Sequence, residues 1–198
     1  SRGANIVCTD IAPLDVSDAY WGSTDVNDYF YEGICPWSEF EKRVAFQPAD
    51  MNNIPDNLGE YDFIWSSCAF EHLGSLRHGM DFVLNANKCL KPGGLAVHTT
   101  EFNTIDTGGT LESPGLSLYR KSDIESLKSQ LEDQGNFVLP LNLNQGDTDM
   151  DNYVDLPPYE QKVHLKLMID GEYVTTSIGL VIIKGSNSNC LLYTSPSP

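Results

Sequence analysis

The sequence predicts an α/β protein built on a doubly wound, mostly parallel sheet that ends in an antiparallel hairpin. Three observations carry that expectation. Short β-rich runs alternate with segments whose apolar residues recur at helical spacing, the pattern of an open α/β sheet. Polar and acidic residues (Asp10, Asp50, Ser66 with Ser67, Thr100 with Glu101) fall directly after the β-rich runs, where such sheets place their ligands. The last two β-rich runs, His164 to Ile169 and Ser177 to Lys184, are separated by Asp170-Gly171-Glu172-Tyr173-Val174 and read as an antiparallel pair joined by a hairpin.

In chain order, residues 4 to 9 (ANIVCT) form a first strand ending at Asp10, with Pro13 blocking continuation. Ser38 to Arg43 (SEFEKR) reads as a helix, with Ser38 as N-cap and Glu41 three residues on. Val44 to Gln47 is a second strand, leading to Asp50. Tyr61 to Ser66 (YDFIWS) is nearly all large and apolar after its opening, which predicts a mid-sheet parallel strand covered on both faces. Leu76 to Leu90 places Met80, Val83, Leu84 and Leu90 on one helical face and stops before Pro92-Gly93-Gly94. Leu95 to Thr100 is the next strand. Ser122 with Glu125 forms a capping-box pattern ahead of Ile124, Leu127 and Leu131. Phe137 to Leu143 is a weaker strand candidate, interrupted by Pro140.

The 198 residues suit a single core, so one α/β domain is expected. Twelve Lys and Arg against 28 Asp and Glu give a formal charge of −16, which repels a phosphate backbone and argues against nucleic acid as partner. No run approaches the roughly 20 apolar residues of a membrane span, so the chain reads as soluble, without a membrane partner. Five cysteines (Cys8, Cys35, Cys68, Cys89, Cys190) show no metal-ligand spacing with the four histidines. They read as free thiols in a reducing, cytoplasmic compartment, and no metal site is expected. The acidic stretch Gly146 to Asp155 lacks the glycine and terminal glutamate of an EF-hand and reads as a solvated loop. Residues 186–198, with Cys190 to Pro198 at their end, read as a disordered or non-native tail. Oligomeric state is left open.

Asp10 is the clearest single candidate, since a carboxylate at a strand's carboxyl end accepts hydrogen bonds from both hydroxyls of an adenosine ribose; alone, it equally suits a turn aspartate or an NAD enzyme. Asp50 and Met51 offer an acid for an adenine amino group with an apolar side chain beside it. The most specific stretch is YDFIWSSCAFEHLG (Tyr61 to Gly74), followed by a helix and then Cys89-Leu90-Lys91-Pro92-Gly93-Gly94. This block, with the acids before it, resembles the class I S-adenosylmethionine-dependent methyltransferases, and matching features run from about Ile6 to Lys184. The resemblance implies a Rossmann-like fold and S-adenosylmethionine as cofactor. It implies that Asp10, with Ile11 beside it, meets the ribose, that Asp50 and Met51 flank the adenine, and that Ser66, Ser67, Cys68 and Ala69 line the methionine side.

The family's glycine-rich loop after its first strand has no counterpart in these residues. Residues 1–185 are therefore expected to form a partial methyltransferase domain, lacking that strand and loop, that binds cofactor poorly or not at all. For catalysis, His72 with adjacent Glu71 is a candidate base, although the Glu-His-Leu element equally shapes the loop. Glu101 is a second catalytic candidate. Glu101, Asn103, Tyr119 and Arg120 are the candidates for holding a small-molecule or glycan-type acceptor. The aromatics Trp21, Tyr29, Tyr31 and Trp37 fit either a lid or a core. Two other readings remain: a non-catalytic nucleotide-binding module, and an NAD-dependent enzyme. Strand order separates the last, because an antiparallel strand inserted beside the fifth family strand supports the methyltransferase and an all-parallel order supports NAD.

Overall fold

The computed structural model describes residues 3–11, 25–105, 108–159 and 163–186. Trp21 and the tail from residue 187 lie outside them. The chain divides into two compact units, Ser1–Asn57 and Leu58–Pro198.

The first unit holds β1 (Ile6–Asp10), α1 (Trp37–Arg43) and β2 (Val44–Pro48). The strands pair in parallel, from Ile6 opposite Val44 to Asp10 opposite Pro48. Helix α1 starts one residue before the expected position and has Pro36 at its N-cap, so Ser38 sits inside the first turn. A proline there forfeits nothing, because the first amides of a helix have no intrahelical acceptor. Phe40 is the buried residue of α1, and Phe30 and Trp37 pack on it at ring distances of 5.3 and 5.5 Å. Tyr29 stacks on Phe46 at 6.4 Å. Tyr29 and Trp37 thus belong to this unit's aromatic cluster.

The second unit contains β3 (Tyr61–Ser67), α2 (Leu76–Lys88), β4 (Leu90–Asn103), α3 (Lys121–Asp133), β5 (Phe137–Val138), α4 (Asp149–Asn152), β6 (Val154–Asp155), β7 (Lys166–Ile169) and β8 (Tyr173–Ile183). Its sheet runs β3-β4-β8-β7-β6, with β5 alongside β8. Strands β3 and β4 are parallel, while β8 enters antiparallel beside β4, from Leu95 opposite Ile183 to Asn103 opposite Thr175. The α/β, Rossmann-like architecture with an antiparallel carboxyl-terminal hairpin is the one expected, and the inserted β8 is the strand order that argues against an NAD enzyme. Asp170 and Gly171 both take positive φ, 53° and 68°, in the turn of three residues between the paired Ile169 and Tyr173, where the Glu172 amide donates to the Ile169 carbonyl at 3.1 Å.

The helices follow from their caps and stripes. The Ser75 hydroxyl accepts from the His78 amide at 3.1 Å and starts α2, which buries Leu76, Phe82, Val83 and Leu84. Helix α3 buries Ile124, Leu127 and Leu131 completely, the spacing read from sequence. Full burial of a leucine contributes about 2 kcal/mol. Gly135, at φ 83°, closes α3 in the left-handed conformation that terminates helices.

Four expectations need correction. Among the described residues β3 is an edge of its sheet, paired with β4, and leaves Phe63 45% and Trp65 56% exposed. β5 is two residues long, since Pro140 cannot donate to a ladder. The start of α3 is set by Asp123, whose carboxylate accepts from the Arg120 amide at 2.9 Å, rather than by Ser122 and Glu125. The acidic stretch is one capped helical turn rather than plain loop: Asp151 accepts from the Thr148 amide at 3.0 Å and its hydroxyl at 2.7 Å, and these bonds hold its carboxyl below the usual range. No helix among the described residues is long and apolar enough to cross a membrane.

Candidate functional site

Within the first unit, parallel pairing puts the acids together at one end of the sheet. Asp10 closes β1 opposite Pro48, its carbonyl accepts from the Ala49 amide at 2.9 Å, and Asp50 follows at once. One Asp10 carboxylate oxygen accepts from the Ile11 amide at 2.8 Å, and one of Asp50 accepts from the Asn52 amide at 2.8 Å. A carboxylate has about four acceptor sites, so each acid keeps capacity for a ligand hydroxyl or amine. Ile11 is 50% exposed beside Asp10, and Met51 is half-buried beside Asp50. Acceptors next to apolar surface fit an adenosine.

In the second unit, the carboxyl ends of β3 and β4 adjoin through the pairing of Ser66 with His98 and Ser67 with Thr99. The Ser66 hydroxyl lies 2.7 Å from His98 Nδ1. His98 is wholly buried, edge-on to Phe70 and Phe82, and burial pushes its pKa down to about 4, so the ring is neutral. His98 is therefore a core residue. Ser67 is exposed. The Cys68 amide is pinned by the Thr99 carbonyl at 3.1 Å and the Thr99 hydroxyl at 3.0 Å, with Cys68 at φ 43°. Ala69 precedes a single 3-10 turn, Phe70 to His72.

That turn sends its two polar side chains in different directions. Glu71 is fully buried; one oxygen accepts from the Thr100 hydroxyl at 3.0 Å and the other, Oε1, has no partner. Burial raises its carboxyl, an effect opposed by hydrogen bonds from its own backbone and from Thr100. His72 is exposed, and its Nδ1 lies 2.7 Å from the Gly115 carbonyl. A carbonyl only accepts, so Nδ1 carries the proton and Nε2 is left as the basic nitrogen. The adjacent carboxylate envisaged as its helper faces Thr100.

Among the acceptor candidates, Glu101 is half-buried at the end of β4 and accepts from Thr175 at 2.5 Å and Ser177 at 3.4 Å, both on β8. The other three are committed inside the fold. Asn103 is buried, donating to the Gly109 carbonyl and the Thr110 hydroxyl, each at 3.3 Å, and accepting from the Ile105 amide at 3.0 Å. Tyr119 is entirely buried, its hydroxyl 3.4 Å from the carbonyls of Phe70 and Leu76. Burial, with the nearby Glu71 charge, raises its phenol. Arg120 forks onto Asp123 at 2.8 and 2.9 Å and donates to the Gly108 carbonyl at 3.1 Å. Asn103 and Arg120 fasten loop and helix, and Tyr119 fills the core, so none of the three presents a free group to an acceptor. Thr175 and Ser177 were missed from sequence because only the β4–β8 register brings them to Glu101. Their period-two spacing is the one signal the sequence offers.

A family model described as a methyltransferase domain matches residues 1–98. That match takes in 98 of the 198 residues and is consistent with a class I S-adenosylmethionine-dependent methyltransferase. Its fold is similar to that of a Galdieria sulphuraria protein described as a sarcosine dimethylglycine methyltransferase, at 15% identity and TM-score 0.52 over 91% of this chain and 70% of that one. It is similar to YcgJ from Bacillus subtilis, at 11% identity and TM-score 0.50 over 92% of this chain and 83% of that one. TehB from Haemophilus influenzae has 14% identity and TM-score 0.50, with 92% of this chain and 50% of that one covered. Across eight of the solved structures it resembles, the chain spans from 38% to 83% of their lengths. No curated protein matches the sequence significantly.

Proposed function

We propose that the protein transfers the methyl group of S-adenosylmethionine to a small-molecule or glycan-type acceptor. The observation that carries the reading is the pair of acids, Asp10 and Asp50, at the shared carboxyl end of β1 and β2, each with acceptor capacity left over. In this reading Asp10 takes the ribose hydroxyls, and Asp50 with Met51 takes the adenine edge and face. Ser66 to Ala69 are the candidates for the methionine end. When bound, the cofactor supplies an activated sulfonium methyl, so the protein's task is alignment more than bond activation. Glu101 is the group that would orient an acceptor hydroxyl or amine, and His72 Nε2 is the candidate proton acceptor. The net charge of −16 favours a small or neutral acceptor over a nucleic acid.

The test is calorimetric titration of S-adenosylhomocysteine into this chain and into its Asp10→Ala variant. Binding weakened tenfold or more by Asp10→Ala, about 1.4 kcal/mol, is the expected result. Saturable binding unchanged by the substitution would remove Asp10 from the ribose. No binding to either form would move the reading to a non-catalytic module.

A further inference from the structure

Three side chains, two from the segment after β3 and one from β4, meet at the carboxyl ends of these strands. Cys68, Glu71 and Glu101 each bring one sulfur or carboxylate oxygen to within 4.8 Å of the others. We propose that these three bind a divalent cation of borderline softness, of which Zn²⁺ is the representative. A mixed thiolate and carboxylate donor set selects such an ion over magnesium or calcium, which take oxygen alone.

The argument does not rest on acidic residues lying close together. Glu71 is fully buried, and its Oε1 has no hydrogen-bond partner. Buried polar atoms are nearly always satisfied, and an unpaired carboxylate oxygen is among the costliest exceptions. Among the described residues none of the ion pairs includes Glu71 or Glu101. A cation bound between the two acids is the partner that would satisfy both.

The surroundings hold the donors as a metal's outer shell does. Thr175 and Ser177 donate to Glu101, and Thr100 donates to the second oxygen of Glu71. Cys68 Sγ sits 3.4 Å from the Ser177 hydroxyl and 3.5 Å from that of Thr99. Bonds of about 2.0–2.3 Å in a tetrahedron require donors about 3.3–3.8 Å apart, so the present spread closes with side-chain adjustments of about 1 Å. Three protein ligands leave one tetrahedral position for water or for an oxygen or nitrogen of a bound molecule. Binding displaces the thiol proton of Cys68, and that of Glu71 where it is protonated, into solvent. No ligand spacing marks the site in the sequence, because two of the donors lie within four residues of each other and the third comes from the next strand.

The test uses the full chain, stripped with chelator and titrated with Co²⁺, then back-titrated with Zn²⁺. The expected result is one ion per chain, with a sulfur-to-cobalt charge-transfer band and tetrahedral visible bands, both erased by Zn²⁺. Cys68→Ser should abolish the charge-transfer band, and Glu101→Gln should weaken Co²⁺ binding tenfold or more. The Cys8→Ser, Cys35→Ser and Cys89→Ser variants should keep both. Glu71→Gln, checked for folding by circular dichroism, should lose the site while remaining folded. The proposal is overturned if no stoichiometric band forms, or if the band survives Cys68→Ser. It also fails if folded Glu101→Gln binds Co²⁺ as the parent chain does. These readouts need no cofactor, so their failure leaves the methyl-transfer reading standing.

Discussion

Protonating His98 should destabilise the second unit along a defined pH course. Its ring is wholly buried between Phe70 and Phe82, with the Ser66 hydroxyl on Nδ1 and no partner for Nε2. Burial lowers its pKa from 6.5 to about 4. Between those values the unfolded chain binds a proton that the folded chain refuses. The stabilisation is therefore complete above pH 6.5, falls as pH drops through the window, and is gone below about 4. At about 1.4 kcal/mol per tenfold change in proton affinity, the whole effect is about 3 kcal/mol. Urea unfolding of the parent chain and of His98→Leu, at steps from pH 7.5 to 4, measures it as the difference between the two. That difference cancels the surface carboxylates, which titrate alike in both proteins. The parent's stability should fall more steeply with acid than the variant's, by about 3 kcal/mol across the range. Parallel curves would mean that His98 is solvated or relaxes without cost, and the core assignment would be wrong.

Other outcomes follow from the same geometry. Glu71 has the opposite sign: burial raises its carboxyl, so in metal-free protein stability should decline as pH rises above the ordinary carboxylate range of about 4, and Glu71→Gln should flatten that decline. Gly79 lies in α2 where an added Cβ would stand 1.8 Å from the Tyr119 hydroxyl and 2.4 Å from the Phe70 carbonyl. Gly79→Ala should therefore destabilise by about 2 kcal/mol in urea unfolding despite alanine's better helix propensity. Tyr119→Phe in the same chain should recover part of the loss. Asp123→Ala removes both the Arg120 fork and the carboxylate that caps α3, and should cost about 1 kcal/mol in the same assay.

Much of the fold was legible because its signals are local. Ile124, Leu127 and Leu131 at helical spacing and Asp170-Gly171 between two β-rich runs each carry their own physics, and the structure places a helix and a hairpin there. What depended on pairing was not legible. The apolar run of β3 looked like a strand covered on both faces, yet the same residues form an edge with Phe63 and Trp65 exposed, since composition does not say which face has a neighbour. β8 begins at Tyr173, four residues before the expected Ser177, because β4 extends to Asn103 and the added residues complete its ladder.

The candidate residues divide along the same line. Asp10 and Asp50 could be picked out because each follows its own strand, and parallel pairing brings the two strand ends together. For Tyr119 and Arg120, placement just before a helix does not show which groups the side chain meets. Tyr119 is drawn under α2 by the missing side chain of Gly79, and Arg120 is held by Asp123. The Cys68, Glu71 and Glu101 group escaped the sequence for a third reason. Its geometry depends on Cys68 being pinned to Thr99 across the β3–β4 ladder and on Glu101 being held by β8 from the far end of the chain. A site assembled by register leaves no motif. The same register dependence gives it a vulnerability that a local motif would lack: disturbing the β4–β8 ladder at Thr175 or Ser177 should disorganise Glu101 while leaving Asp10 and Asp50, on their own paired strands, unchanged.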